Sequence, residues 1–394
     1  MSSPTQFLKM ASALKGRLTR IRRDLHAHPE LAFHEERTAR CVAEMLRAAG
    51  VEVKTGVGGT GVVGLLRGKG ARRTVALRAD MDALPLQEAN DAPYRSRNAG
   101  VMHACGHDGH TAMLLGAAFM LARMRGELLG NVKFLFQPAE EIVSGAPTMV
   151  EDGALASPKV DAIFGAHVAA DVPFGTIALR EGPTMAGADH FRIVVTGRGG
   201  HASSPDRTMD PLVPANQIYQ ELATVRRMAN PFQPCVISIC SFQTGVSYNV
   251  IPQSVEMRGT LRTFQRKTRV RVMSRMALVV RQTAAAYSVQ GRLFWDVRCP
   301  ILANDAAASR IVKAAAAAIG RPVVLDKKTM GSEDFSFYLA HAPGAFFQVG
   351  TRRGRTAKVH HSNRFDFDER ALPIGAAMLA QCAQTFLAST RRTS

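Results

Sequence analysis

Nine consecutive residues, 102–110, carry a high density of side chains that bind metals. They read Met-His-Ala-Cys-Gly-His-Asp-Gly-His, and almost none of them is bulky and apolar enough to build a core. Thiolate and neutral imidazole are ligands of borderline transition metals, and a nearby carboxylate can bridge two ions or orient a ligating histidine. Cys105 and His107, separated by Gly106, are the pair in this segment that most specifically indicates a metal site. The segment predicts a metal site, because the alternative of a polar loop with one buried structural cysteine explains only the thiol.

The pattern around this segment predicts the elements that position it. Apolar strands alternate with amphipathic helices, with strands at residues 61–66, 74–79, 131–137 and 161–165 and helices at 35–49 and 111–125. This alternation predicts an α/β domain with a mostly parallel sheet and helices on both faces. In such sheets ligands gather at the carboxyl ends of the strands.

Acidic and imidazole side chains directly follow the predicted strands. They are, strand by strand, Asp80 with Asp82, Glu140 with Glu141, and His167. Adjacent carboxylates repel each other unless cations or protons compensate their charge. One glutamate of the pair can therefore bind a metal while its neighbour acts as a general base on a water molecule.

A second domain interrupts the first. From about residue 185 the element order changes to βαββαβ, which is the order of a ferredoxin-like unit. We expect this inserted domain at residues 185–297, and a metal-binding catalytic domain at 1–184 and 298–394. The insertion also carries three side chains that can donate hydrogen bonds to a carbonyl oxygen or a carboxylate, namely His201, Asn249 and Arg262.

Composition narrows the class of protein. Six cysteines lie scattered without CxxC pairs, which argues against a disulfide framework or a zinc ribbon and favours a reducing cytosol.

No continuous apolar run opens the chain, so we expect no membrane partner and a cytoplasmic localisation. The net charge of +18 is dispersed rather than gathered in long basic runs, so we expect it to steer small anionic substrates and expect no nucleic-acid partner. Neither a GxSxG elbow nor a phosphate loop nor a dinucleotide fingerprint occurs, which leaves metal-assisted hydrolysis.

Five motifs follow one another along the chain in a recognisable order. They are Met-His-Ala-Cys-Gly-His-Asp-Gly-His, Gln-Pro-Ala-Glu-Glu, Gly-Arg-Gly-Gly-His-Ala, Asn-Val-Ile-Pro with Gly-Thr-Leu-Arg, and Gly-Ser-Glu-Asp-Phe. Together they resemble the hippurate hydrolase and indoleacetyl-amino-acid hydrolase branch of the aminoacylase and carboxypeptidase-like dinuclear metallopeptidases. The resemblance covers residues 25–388, which is nearly the whole chain.

The resemblance implies a two-metal catalytic domain with an inserted lid domain that commonly dimerises. By motif position the metal ligands would be Cys105, His107, Glu141, His167 and His361. The catalytic residues would be Glu140, as the base, and His201. The substrate-binding residues would be Asn249, Arg262, Gly331 and Ser332. The implied cofactors are two divalent ions per subunit, zinc or manganese, with nickel or cobalt as alternatives.

The implied reaction is hydrolysis of the amide bond of N-acyl-L-amino acids, with hippurate-like, N-acetyl or indoleacetyl groups, to a carboxylic acid and a free amino acid. The implied assembly is a homodimer, with a tetramer as an alternative. A dipeptidase or carboxypeptidase and an N-acetyl-diaminopimelate deacetylase are alternative enzymes on the same scaffold. A basic nucleic-acid-binding or scaffold protein on a degenerate hydrolase fold is the alternative that is not an enzyme.

Three positions depart from the pattern of that family. Ile142 and Val143 stand where glycines usually follow the paired glutamates. Asn363 replaces a common proline after the last histidine motif. His360 directly precedes His361, so the sequence leaves open which of the two binds a metal.

Overall fold

The structure, a computed structural model, describes residues 6–70, 73–225, 233–245, 247–352, 354 and 359–389. Within these residues the helices are α1 (Gln6–Ala13), α2 (Lys15–Ala27), α3 (Glu36–Ala48), α4 (His107–Arg123), α5 (Gly145–Glu151), α6 (Leu212–Val225), α7 (Arg266–Ala286), α8 (Ala306–Ala318), α9 (Phe335–Leu339) and α10 (Ala371–Ala388). The strands are β1 (Glu52–Thr55), β2 (Val62–Leu66), β3 (Thr74–Asp80), β4 (Asn131–Gln137), β5 (Ala162–Pro173), β6 (Ile177–Leu179), β7 (Gly182–Met185), β8 (Gly187–Thr196), β9 (Gly200–His201), β10 (Cys235–Gln243), β11 (Val250–Ile251), β12 (Ser254–Thr263), β13 (Gln290–Cys299), β14 (Leu302–Asn304), β15 (Val323–Leu325) and β16 (Gly344–Arg352).

The chain forms two compact units. The first contains Met1–Gly182, Ala303–Lys327 and Glu333–Ser394, and the second contains Pro183–Leu302 and Lys328–Ser332. The short segment Lys328–Ser332 joins the second unit because Ala186 N donates hydrogen bonds to the carbonyls of Thr329 and Gly331. The sequence pattern predicts this segment in the catalytic domain. Backbone hydrogen bonds between distant segments do not depend on residue type, so the sequence does not reveal them. The role of the insertion as a lid or dimerisation domain stays a prediction.

A sheet in the order β1-β2-β4-β3-β5-β16-β6-β15 forms the centre of the first unit. Its central strands β4, β3, β5 and β16 run parallel to one another, whereas antiparallel pairs occur toward its edges. Every residue of β3 and β4 is buried, which explains their mostly apolar sequences. The expected α/β class with a mostly parallel sheet is confirmed.

Helices α4 and α10 pack closely in the core of this unit. An added Cβ at Gly375 of α10 would lie 1.9 Å from the sulfur of Met113 in α4, so any other residue there would force Met113 to move. Helix α10 is long and apolar enough to span a membrane by length and composition, but 78% of that window is buried inside the protein. It is therefore a core helix of the first unit.

The second unit contains a four-stranded antiparallel sheet in the order β10-β12-β8-β13. Helices α6 and α7 pack on it, and the chain order of these elements is the predicted βαββαβ. Alternate residues of the strands face the two helices and form a separate core that includes Phe191, Ile193, Ile218, Met257, Leu261 and Val279.

Candidate active site

The metal-binding segment folds as a loop that turns directly into α4. Gly106 adopts a left-handed backbone, with φ of 96°, and His107 is the first residue of the helix. A Cβ at Gly106 would lie 2.5 Å from the side chain of Val168. Both this close contact and the left-handed backbone therefore favour glycine at this position. The turn presents Cys105 and His107 toward the carboxyl ends of β3 and β4.

Asp82 orients His107 and Glu141 together. His107 Nδ1 lies 2.9 Å from the Asp82 carbonyl and 3.2 Å from Asp82 Oδ1, so it is the donating nitrogen of the neutral ring. Glu141 N donates to Asp82 Oδ2 at 3.0 Å. His107 Nε2 is left with a free lone pair, buried and without a hydrogen-bond partner among the described residues, 3.9 Å from oxygens of Glu140 and Glu141. A carboxylate behind a histidine in this way is typical of metal sites.

Cys105 belongs to two ligand groups, that is, sets of side chains whose potential metal-binding atoms all lie within 4.8 Å of one another. Its Sγ is 3.4 Å from His167 Nε2, because His167 Nδ1 donates to the Val168 carbonyl at 2.7 Å and turns the other nitrogen inward. Ligand atoms of Cys105, Glu141 and His361 lie within 4.8 Å of one another, and His361 Nε2 is 3.5 Å from Glu141 Oε2. All five predicted metal ligands are thus close together.

The position of His167 differs from the expected one. The sequence pattern placed it at the end of a strand, but β5 continues to Pro173 because β16 pairs with it along this length. His167 therefore lies in the middle of a strand, where it pairs with Gln348 of β16.

The electrostatics of the cluster favour a bound cation. Burial raises the pKa of Glu140 well above its usual range, and the charges of Glu333 and Asp334 raise it further. Burial, with a contribution from Asp82, also raises the pKa of Glu141 to about 7. Buried anions of this kind need a compensating positive charge. The unpaired atoms His107 Nε2 and Glu141 Oε1, together with sulfur, nitrogen and oxygen donors, fit divalent transition metals.

A fully buried arginine, which is not among the predicted site residues, supports this cluster. Arg78 donates to Asp80 Oδ2 at 2.7 Å, to Glu333 Oε1 at 3.0 Å and to Asp334 Oδ1 at 2.9 Å. Carboxylate oxygens of Glu333 and Asp334 lie within 4.8 Å of one in Glu140. Arg78 thus compensates the charge behind the candidate general base. A buried basic residue between apolar neighbours in β3 is the signal that could have revealed it.

Two other polar side chains of the motif act as supports. His110 Nδ1 lies 2.6 Å from Asp80 Oδ1, and its Nε2 accepts from Val168 N at 2.9 Å, so both ring nitrogens are occupied. Asp108 accepts from Arg22 Nε at 2.8 Å, and His26 Nδ1 lies 2.8 Å from the same oxygen. The contacts of Asp108 attach α2 to the start of α4, and those of His110 attach α4 to β3 and β5.

The other predicted site residues belong to the second unit and form two groups there. His201 in β9 pairs with Val250 in β11, and Ala202 N donates to the Asn249 carbonyl, so His201 and Asn249 are neighbours. His201 is exposed, and its Nδ1 lies 2.7 Å from Ser203 Oγ. Arg262 Nη1 donates to the Met330 carbonyl at 2.8 Å, which places it beside the segment that contains Gly331 and Ser332.

Comparisons with known proteins point to one family. Residues 76–385 match the model of peptidase family M20/M25/M40. An N-acetylcysteine deacetylase of Bacillus subtilis is 42% identical over 94% of this chain and 97% of its own length. Thermostable carboxypeptidase 2 of Saccharolobus solfataricus is 40% identical over 94% and 95%, and the IAA-amino acid hydrolase ILR1-like 2 of Arabidopsis thaliana is 40% identical over 94% and 85%.

Among solved structures, a dinuclear metal binding peptidase of the M20 family from Bacillus subtilis superimposes with a TM-score of 0.84 at 38% identity. That similarity covers 96% of this chain and 100% of the other.

Proposed function

We propose, from the premise that the chain belongs to peptidase family M20/M25/M40, that this metal-dependent amidohydrolase cleaves N-acyl-L-amino acids to a carboxylic acid and a free amino acid. The observation that carries the proposal is the position of Glu140, a buried carboxyl group with a raised pKa, beside the donor set of Cys105, His107 and Glu141. A base next to a metal centre is the arrangement that hydrolysis of an unactivated amide needs.

The proposed cofactors are two divalent ions, zinc or manganese, with nickel or cobalt as alternatives. The residues that would hold them are Cys105, His107, Glu141, His167 and His361. Such ions, when bound, supply Lewis acidity and lower the pKa of a water molecule. Support for two ions comes from the dinuclear relative and from the way Cys105 and Glu141 each take part in two ligand groups.

Glu140 is the proposed proton carrier. Its raised pKa suits a carboxylate that takes a proton from the attacking water and then gives it to the leaving amine. Arg78 contacts Glu333 and Asp334 rather than Glu140, so it limits the negative charge near the base without occupying it. The base therefore stays available to the substrate.

The second unit supplies the proposed substrate contacts. His201 is an exposed imidazole suited to donate to the developing oxyanion, from its own chain or from the other chain of a homodimer. Arg262 and Asn249 suit the carboxylate of the amino-acid product, with Gly331 and Ser332 beside Arg262. The net charge of +18 would attract such anionic substrates.

A carboxypeptidase is the second candidate, because two relatives with 40% identity carry that name. It would use the same metal centre on a peptide instead of an N-acyl amino acid. A substrate panel of hippurate, N-acetyl amino acids, indoleacetyl conjugates and dipeptides separates the two, because only the first function predicts faster turnover of the acyl conjugates than of the dipeptides.

Two substitutions test the metal centre and the base. Glu140→Gln should abolish turnover and leave metal content unchanged, since an amide cannot carry the proton. Cys105→Ala should lose metal as well as activity, because it removes a ligand shared by two groups. Glu127→Gln, at an exposed glutamate, is the matched control and should behave like the wild type. Equal metal loss in the Glu140 and Cys105 variants, or full activity after exhaustive chelation, would refute the assignment.

A further inference from the structure

Two adjacent histidines approach Cys105, although only one of them was expected as a ligand. His361 shares a ligand group with Cys105 and Glu141, and His360 shares another with Cys105 and His167, with all ligand atoms of each group within 4.8 Å. Successive side chains of an extended chain point to opposite sides. Here His361 has a left-handed backbone, with φ of 62°, and its N–H is held by the Ala104 carbonyl at 2.9 Å. This turn allows both rings to reach one cluster.

The ring of His360 is held in place but its nitrogens are poorly satisfied. It packs on Phe365 with ring centroids 4.6 Å apart, and it lies 5.2 Å from the ring of His167. His360 Nδ1 is buried and has no hydrogen-bond partner among the described residues. His360 Nε2 lies 3.5 Å from Ala170 N, at the outer limit of a hydrogen bond. Neither ring nitrogen of His360 therefore has a short hydrogen bond among the described residues.

Several side chains near Cys105 have a buried nitrogen or oxygen atom without a hydrogen-bond partner among the described residues. Near Cys105, the described residues with such atoms include His107 and Glu141, which the proposed function already assigns as ligands, and His360, which it does not. Since a buried polar atom without a partner costs free energy, each of the three gains from a cation. His103 also has unpaired ring nitrogens but belongs to no group of potential ligands within the described part of the chain, so the unpaired nitrogen and the shared group with Cys105 and His167 together select His360.

We propose that His360 is a further nitrogen ligand, for the ion held by Cys105 and His167. The inference rests on the proposed two-metal function and deepens it. One ion would then have a thiolate and two imidazoles as its protein donors, a set that favours zinc or cobalt over manganese. His361 would serve the other donor group with Glu141.

The test is cobalt binding by the full chain with His360→Phe. Phenylalanine keeps an aromatic ring on Phe365 but removes both nitrogens, so a residue that only packs would tolerate it. We expect the visible cobalt bands to change in energy and intensity and the affinity of one cobalt ion to fall by at least about 10–100-fold, which is the loss found when only a hydrogen-bonding partner of a ligand is removed. Zinc affinity should fall more than manganese affinity. Unfolding midpoints measured alongside show whether the variant is folded.

Two controls separate this inference from the proposed function. His341→Phe changes an exposed histidine and should leave the cobalt spectrum and affinity unchanged. His361→Gln should lose metal whether or not His360 is a ligand. If His360→Phe matches the wild type in spectrum and affinity while His361→Gln loses metal, the role of His360 is refuted and the two-metal proposal stands. His360→Gln, which lacks the ring, should reproduce the cobalt changes of His360→Phe.

Discussion

Asp82→Asn tests the metal centre most directly, because the buried carboxylate of Asp82 orients two proposed metal ligands at once. Asp82 Oδ2 accepts from Glu141 N at 3.0 Å, and Asp82 Oδ1 lies 3.2 Å from His107 Nδ1. Asparagine has one acceptor oxygen in place of two. We expect that oxygen to keep the shorter contact with Glu141, which leaves the NH2 group facing the donating nitrogen of His107.

The expected cost follows from these contacts. His107 retains the Asp82 carbonyl at 2.9 Å, so the ring stays near its place, but it loses one charge-assisted hydrogen bond and meets a second donor. Such a bond contributes about 1.5–3 kcal/mol, and we therefore expect metal affinity to fall by roughly 10–100-fold. The neutral amide also attracts a cation less than the carboxylate does.

Competition with a chromophoric chelator measures this change for zinc and cobalt. Asp91→Asn, at an exposed aspartate of the first unit, is the matched control. At saturating metal the Asp82 variant should regain most of its turnover, since Glu140 is untouched. An affinity within about twofold of the wild type would show that Asp82 does not orient the ligands and that the reasoning from its two contacts is wrong.

Two further predictions concern backbone strain and the second unit. Val143 has a left-handed backbone, with φ of 57°, which costs an L-residue about 1–2 kcal/mol. Val143→Gly should therefore stabilise the protein by on the order of 0.5–1 kcal/mol after the entropy cost of glycine, as measured by the denaturant midpoint. Val324→Gly in strand β15 is the control and should destabilise the protein. If both variants lose stability, the backbone of Val143 is not strained. His201→Ala should lower turnover by about 100–1,000-fold without changing metal content, as expected for the loss of one oxyanion donor, and near-normal turnover would show that this histidine is only structural.

Local sequence determined the elements and the chemistry of the site. The largely apolar runs predicted β2, β3 and β4 nearly to the residue, because strands buried on both faces are mostly apolar. The glycine between Cys105 and His107 predicted a tight turn into a helix, since the left-handed backbone there depends on that residue alone. Placement of Glu140, Glu141 and Asp82 at strand ends followed from the geometry of parallel sheets. Cytoplasmic localisation and a homodimer stay predictions.

The tertiary structure alone decided which partner each polar group takes. Arg78 meets Glu333 across 255 positions of sequence, and no local pattern specifies a contact over such a distance. Likewise, the sequence could not show that both His360 and His361 approach Cys105, because this depends on one left-handed residue and on the carbonyl of Ala104 that holds it. Elements follow from interactions between near neighbours, whereas the pairing of buried charges depends on how those elements pack, since a buried charge is stable only beside the partner that packing brings to it.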